Sequence, residues 1–258
     1  MINTEDPFEN EMEVFRTEAE SAIQFFYSWL GVHAIASEDE EVHGLLNQAP
    51  LFWKSVLGAL QTSTFIALGR VFDQNSKHNV DRLLKMGQSN MPIFSKTALA
   101  ERKQRSSANA DEWLAKYLLD VYVPTANDFR RLRRYVAKKR IIYEQNYRAV
   151  RHQFFAHREV SQQAEIQALF AKTNVQELQQ LLVFLLRLYE ALWQLYHNGR
   201  KPSLRPARYS VNRIREQPSP EHGGRTLQER LTLEIATFLK TVIAKEQLTK
   251  PPNAFGEL

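Results

Sequence analysis

Residues Val175–His197 read VQELQQLLVFLLRLYEALWQLYH, and this stretch decides the fold. Leu178, Leu182, Leu185, Leu188, Leu192 and Leu195 recur three and four residues apart, the period of an α-helix, and further leucines lie beside them. The segment is therefore apolar over most of its circumference, which places it at the centre of a bundle or in a dimer interface. Upstream, Asn127–His157 carries Phe129, Leu132, Val136, Tyr143, Tyr147, Val150 and Phe154 at the same spacing, apart from a polar interruption near Lys139. This predicts a second long amphipathic helix. Two more are expected at Pro7–Ala36, on Phe15, Ala19, Ile23, Phe26, Trp29 and Leu30, and at Leu51–Phe72, on Leu57, Leu60, Thr64, Ala67, Leu68 and Val71. The first opens with an acidic turn that suits the positive end of a helix dipole, and the second follows Pro50. Shorter helices are expected in DRLLKMG, in SKTALAERKQR behind a serine cap, and in ADEWLAKYLLD, opened by Asp111. With no alternating run bounded by turns, the expectation is an all-α bundle of long antiparallel helices.

The helical pattern stops after Gly199. Residues 201–225, KPSLRPARYSVNRIREQPSPEHGGR, have the prolines, glycines and charges of a linker. Leu227, Leu231, Ile235, Phe238, Leu239 and Ile243 then predict a terminal helix from Thr226 to about Glu246. The expected organisation is a bundle over 1–198, a basic linker over 199–225, and a C-terminal helix and tail over 226–258. That last helix can dock on its own bundle, swap onto a partner, or bind something else.

Composition narrows the function classes. The 258 residues are 43% hydrophobic, enough to bury a core, and include no cysteine, which excludes a disulfide scaffold and cysteine-ligated zinc and fits a reducing cytoplasm. The N-terminus lacks the basic start and apolar run of a signal peptide, and charges are expected to cut the apolar stretches short of the roughly 20 residues a membrane span requires. No glycine-rich phosphate loop, GxSxG elbow or HExxH pattern occurs, so P-loop hydrolysis, the usual covalent hydrolases and a zinc protease lose their anchors. His152 and His157 lie five apart, on opposite faces of a helix, and no metal or other cofactor is expected. The net charge of +5 is uneven. The first fifty residues are acidic, whereas Arg130, Arg131, Arg133, Arg134, Lys138, Lys139 and Arg140 form one basic cluster and Arg200, Lys201, Arg205, Arg208, Arg213 and Arg215 another. Such clusters suit a polyanion such as RNA; the plainer reading is a solvated helix face and a basic linker.

The stretch Tyr147–Glu159, YRAVRHQFFAHRE, is where chemistry can reside. Histidine moves protons near neutral pH, and arginine offers a permanent, bidentate charge to phosphate. Against this, an arginine and a histidine six residues apart are common in basic helices, and His157 can simply cap the negative end of its helix. Arg70 and Asp73 sit one turn apart and can support a site across the bundle or form an ordinary intrahelical ion pair. Tyr147 can touch a base or phosphate but also fits the core stripe, the reading we favour. Arg148 shares a face with His152 and is a candidate phosphate ligand, as are Arg134 and Lys138 in the basic cluster. The tryptophans and the Phe154, Phe155 pair read as packing.

The order Arg151, His152, four residues, His157 at a helix end resembles the signature of the HEPN superfamily, whose catalytic members cleave RNA without metal. FIALGRVFD upstream, a short leucine-containing helix at Val80–Leu84, and a long helix ending in FFAHRE are similar to the AbiU-type abortive-infection branch over roughly Leu51–His197. The resemblance implies a homodimer with a composite site. Within it His157 would move the proton, Arg151 would stabilise charge on phosphorus oxygens, and His152 would orient the arginine or the phosphate. It also implies a toxin or phage-defence role, an antitoxin or other protein partner, and 2′,3′-cyclic phosphate products. Two other classes stay open: a noncatalytic helical interaction module, and an RNA-binding protein that uses the basic face without chemistry.

Overall fold

The computed structural model describes residues 6–156, 162–204, 210–220 and 224–249. Among them no strand occurs. The α-helices are α1 (Pro7–Ala36), α2 (Glu40–Gln48), α3 (Pro50–Phe72), α4 (Val80–Ser89), α5 (Lys96–Ser106), α6 (Ala110–Tyr117), α7 (Ala126–Asn146), α8 (Gln163–Phe170), α9 (Val175–Asn198), α10 (Val211–Glu216) and α11 (Leu227–Thr249). A single 3₁₀ turn covers Met91–Phe94 and a π-helical turn Val150–Ala156. The all-α expectation holds, and α1, α3, α9 and α11 lie where the apolar period placed them.

The chain forms two compact units, one of residues 1–21 with 65–207, the other of residues 22–64 with 208–258. Helices α1 and α3 each contribute to both. In the first unit α9 is the core helix. Leu181, Leu182, Leu185, Leu188 and Leu192 are fully buried, so truncating one of them to alanine is expected to cost about 2–5 kcal/mol. The start of α1 packs against the end of α9 through Phe8 and Tyr196, and the Tyr196 hydroxyl donates to Asp6 at 2.5 Å. Helix α4 lies along α7, where Phe129 fills the space that Gly87 leaves open and Asp81 pairs with Arg140. In the second unit Ile35, Val42, Leu239 and Ile243 make a small core from α1, α2 and α11, with Trp53 of α3 packed on it.

Local chemistry sets the helix ends. Ser95 caps α5 by accepting the Ala98 N–H, and Asn174 caps α9 by accepting the Glu177 N–H at 3.1 Å. Asp128, three residues into the start of α7, accepts the Thr125 N–H, the Thr125 hydroxyl and the Tyr122 hydroxyl at 2.7–2.9 Å. Burial works to raise this carboxyl, but those three donors outweigh it and hold it below the ordinary aspartate value. At the far end of α9, Gly199 takes a left-handed φ of 55° and closes the helix, with the Arg200 N–H returning to Gln194 O.

Four expectations need correction. The long helix expected over Asn127–His157 ends at Asn146: Tyr147 leaves helical geometry at φ −120°, ψ −31°, and the chain resumes as the π turn. The break lies beside Tyr147, whose buried hydroxyl is tied to Asn174, a tertiary constraint invisible to periodicity. Helices α2 and α8 were not anticipated, and α10 lies inside the stretch read as linker. Asp111 lies within the first turn of α6, one residue after its start at Ala110, and accepts from Gln104 at 3.1 Å. Finally, Lys54 is the single charge between Pro50 and Gly69, so α3 is by length and hydropathy apolar enough to cross a membrane. Its C-terminal half, with Phe65, Leu68, Val71 and Phe72, is buried in the first unit, as a core helix would be.

Candidate active site

Where α3 ends and the π turn begins, a cleft of about 420 Å³ is lined by Gly69, Arg70, Asp73, Glu144, Arg148, Arg151 and His152, with Gln74–Ser76 beside them. Its organising contact joins the two segments: Arg151 Nη1 donates to Asp73 Oδ2. The same carboxylate accepts the Tyr143 hydroxyl at 3.2 Å through Oδ1, with Arg148 Nε 3.9 Å away. Asp73 is thus the hub of one arginine at bonding distance, a second nearby and one phenol. The sequence brings these partners together simply. Asp73 is the first residue beyond α3, and its N–H still closes on Gly69 O at 2.9 Å, which fixes it at the helix end. Tyr143, on the core face of α7, stacks on Phe72 with centroids 5.4 Å apart.

Gly69 explains how Arg151 reaches across. A Cβ at that position would stand 2.6 Å from both Cδ and Cζ of Arg151 and closer still to its Nε, so only glycine lets the guanidinium lie against the helix. Arg151 Nε is buried without a hydrogen-bond partner, while the side chain as a whole keeps 23% of its surface exposed toward the cleft. Tyr143 stays a neutral donor, since burial first and the Asp73 charge second push its hydroxyl well above the ordinary tyrosine range.

The expected residues fall into distinct places. Arg151, His152, Arg148, Arg70 and Asp73 all line the one cleft. Arg70 and Asp73, however, do not pair with each other: Arg70 Nη1 lies 3.3 Å from both carboxylate oxygens of Glu18 in α1, while Asp73 serves Arg151. Tyr147 is fully buried, and its hydroxyl both donates to Asn174 O at 2.8 Å and accepts the Asn174 N–H, so its observed contacts are those of the core. Arg134 and Lys138 are exposed on α7 and do not line the cleft, whereas Arg131, Arg133 and Arg140 from the same cluster are bonded to Pro202, Gln88 and Asp81. His157 lies outside the described residues. Phe154 and Phe155 pack on Phe170 and Phe65, as expected.

Gly69, Tyr143 and Glu144 were not singled out from the sequence. A glycine amid the apolar residues of FIALGRVF was the available signal for the first. Tyr143 was read as core stripe, which it is, with a hydroxyl that also reaches the site. Electrostatically, Arg70, Arg148 and Arg151 face Asp73 and Glu144 across the cleft; Arg70 is paired with Glu18, Arg151 with Asp73, and Glu144 lies 3.5 Å from Arg140, which leaves Arg148, 3.9 Å from Asp73, as the more loosely held cation of the lining.

No curated protein and no solved structure gives a significant match to the chain. The sequence pattern of HEPN-type AbiU2 proteins matches residues 5–215, which include every described residue of the cleft. The chain belongs to the HEPN-type AbiU2 family, of the abortive-infection branch.

Proposed function

We propose that this chain is a metal-independent RNA endonuclease that acts as a homodimer in abortive infection. The observation that carries the reading is the Arg151 guanidinium held against Gly69 by Asp73, beside Arg148 and His152 in one cleft. An arginine has five N–H donors. Asp73 uses one and fixes the orientation, leaving donors of the Nη groups for a phosphate.

In the proposed reaction the substrate's 2′-hydroxyl attacks the adjacent phosphorus and the 5′-oxygen leaves. The products are a 2′,3′-cyclic phosphate and a free 5′-hydroxyl. The hydroxyl proton is taken by a base, and a proton is delivered to the departing oxygen. His157 is assigned this proton transfer on sequence grounds, as the histidine that closes the pattern of Arg151, His152 and four further residues. Arg151 stabilises the charge that builds on the non-bridging oxygens, and Arg148 and His152 orient the phosphate. Arg134 and Lys138 supply nonspecific attraction to the strand. An interruption of regular helix next to a reacting group is a recurrent arrangement, because a π turn aims side chains that an α-helix would direct elsewhere.

The test is incubation of wild-type, Arg151→Ala and His157→Ala proteins with a mixed RNA pool in EDTA, reading cleavage and end chemistry. Cleavage by wild type alone, with cyclic phosphate ends, is the expected outcome. Equal cleavage by all three would end the assignment, and no cleavage by any would favour a noncatalytic interaction module.

A further inference from the structure

A second cleft, of about 680 Å³, lies within the first unit where the end of α6 and the segment leading from it toward α7 meet the end of α9. We propose that this cleft, walled by Trp113, Tyr117 and Tyr122 and rimmed by Lys116, Arg200 and Lys201, binds a single-stranded stretch of RNA. Bases would lie against the rings and phosphates against the cations. The choice of RNA rests on the proposed function, while the cleft is built from none of the residues assigned to cleavage.

The rings are fixed rather than free. Tyr117 donates its hydroxyl to Asn198 O at 2.8 Å, Tyr122 donates its own to Asp128 at 2.7 Å, and Trp113 stands edge-on to Tyr117 with centroids 5.5 Å apart. A ring already held in place loses little freedom when a base stacks on it. The negative end of α9 is satisfied without the rim residues' side chains: Arg102 donates to Tyr196 O, Tyr117 to Asn198 O, and the Tyr122 N–H to Gly199 O. Among the described residues, Lys116, Arg200 and Lys201 have no acidic side chain at ion-pair distance, although Asp120 shares the lining, and Lys201 stands over the Tyr122 ring at 5.6 Å. The left-handed turn at Gly199 is what brings Arg200 and Lys201 to the rim. A local excess of positive potential is also felt by Lys103, which burial and then Arg102 and Arg200 push below the ordinary lysine value.

Position adds an argument. The second cleft sits at the N-terminal end of α7 through Tyr122 and Asp128, and the cleft of Arg151 at its C-terminal end through Glu144. The 21 residues of α7 span about 30 Å, and Arg130, Arg134 and Lys138, four apart, are exposed along it. Aromatic rings with interspersed cations are the sequence-tolerant means of holding a single strand.

The experiment titrates the full chain with a 2′-O-methyl oligouridine about a dozen nucleotides long, which has no 2′-hydroxyl to attack and so reports binding whether or not the protein cleaves. Tryptophan emission and strand anisotropy are read together. The strand should quench the protein, and Trp113→Phe, which keeps a ring in place, should lose most of that quench. Arg200→Glu with Lys201→Glu, both exposed and checked for folding by thermal denaturation, should weaken binding at least tenfold. This pair should also lower the salt slope by about 1.4, at ~0.7 per lost phosphate contact. Arg151→Ala should leave the quench at saturation unchanged even where it lowers affinity, so failure of the cleavage reading would not remove it. The proposal is overturned if the quench survives Trp113→Phe, if the double substitution leaves affinity unchanged, or if uridine monophosphate quenches as well as the strand at equal nucleotide concentration.

Discussion

Replacing Gly69 by alanine tests the geometry of the Arg151 cleft with a single methyl group. That methyl would stand 2.6 Å from Cδ and Cζ of Arg151, against an ordinary contact near 3.5–4.0 Å, so the guanidinium must swing off α3 by about 1 Å or more and lose its register with Asp73. Three terms set the stability change. Alanine improves the helix by about 1 kcal/mol, loss of a charge-assisted hydrogen bond costs about 1.5–3 kcal/mol, and the arginine terminus, being flexible, relieves the collision cheaply. The net loss is about 0.5–2 kcal/mol, which a domain stable by about 5–15 kcal/mol survives. Cleavage should respond far more. If Arg151 stabilises the pentavalent phosphorus as an oxyanion donor does, misplacing it costs about 10²–10³-fold in rate. RNA cleavage and thermal unfolding would be measured on Gly69→Ala, Arg151→Ala and the double variant. In the double variant the alanine should cost no further activity and even recover stability, because nothing remains to collide with. A Gly69→Ala protein that cleaves at the wild-type rate would refute the argument, as would strictly additive effects in the double variant.

Asp73→Asn should lower stability by about 1–3 kcal/mol in urea titration and cut cleavage, because Arg151 loses the charge that fixes it and the amide keeps one acceptor oxygen where the carboxylate had two, so either Arg151 or Tyr143 faces an NH2 group; unchanged stability would show the hub to be unimportant. Tyr147→Phe should cost about 0.5–1.5 kcal/mol, since the buried hydroxyl's hydrogen bonds with the Asn174 backbone are lost, yet leave the cleavage rate of folded protein unaltered; a selective loss of rate would return Tyr147 to the site. His197 is pushed down to about 4 by burial first and by Arg102 and Lys103 next, with Glu9 3.5 Å away. Between its unfolded value of 6.5 and about 4 the unfolded chain therefore binds a proton that the folded chain refuses, so this residue's stabilisation is present above 6.5 and is lost as pH falls through that window. Glu9, whose carboxyl burial raises, acts with the opposite sign. His197→Gln should accordingly flatten the fall of Tm between pH 7 and pH 5, and parallel curves would contradict this.

The sequence made the long helices legible because a period of three and four survives any packing that buries one stripe. Pro7–Ala36 matches α1 at both ends and Val175–His197 falls one residue short of α9, since caps and turn residues mark those boundaries chemically. Helices α2 and α8, of nine and eight residues, are too short to show a period of their own, and among the described residues of α8 none is buried. The break after Asn146 was hidden for the opposite reason. The apolar period runs on through Tyr147, Val150 and Phe154, while the geometry yields to contacts with Asn174 and Phe170, 27 residues beyond Tyr147 and 16 beyond Phe154.

The cleft follows the same division. Arg151 and His152 were visible as residue types suited to phosphate, and Arg70 and Asp73 as a pair one turn apart, but type and spacing favoured pairing within α3. What decided otherwise was Gly69, which opens one side of the helix to a side chain from 82 positions later. A glycine inside an apolar helix costs about 1 kcal/mol relative to alanine, and the collision that alanine would create gives a physical reason for carrying that cost here. The three residues form a single unit across two segments: Gly69 makes the space, Asp73 supplies the charge, and Arg151 reaches both. An arginine placed by a gap in one helix and a carboxylate at its end presents a fixed cation to whatever enters the cleft, and a fixed cation is what an in-line attack on phosphorus requires.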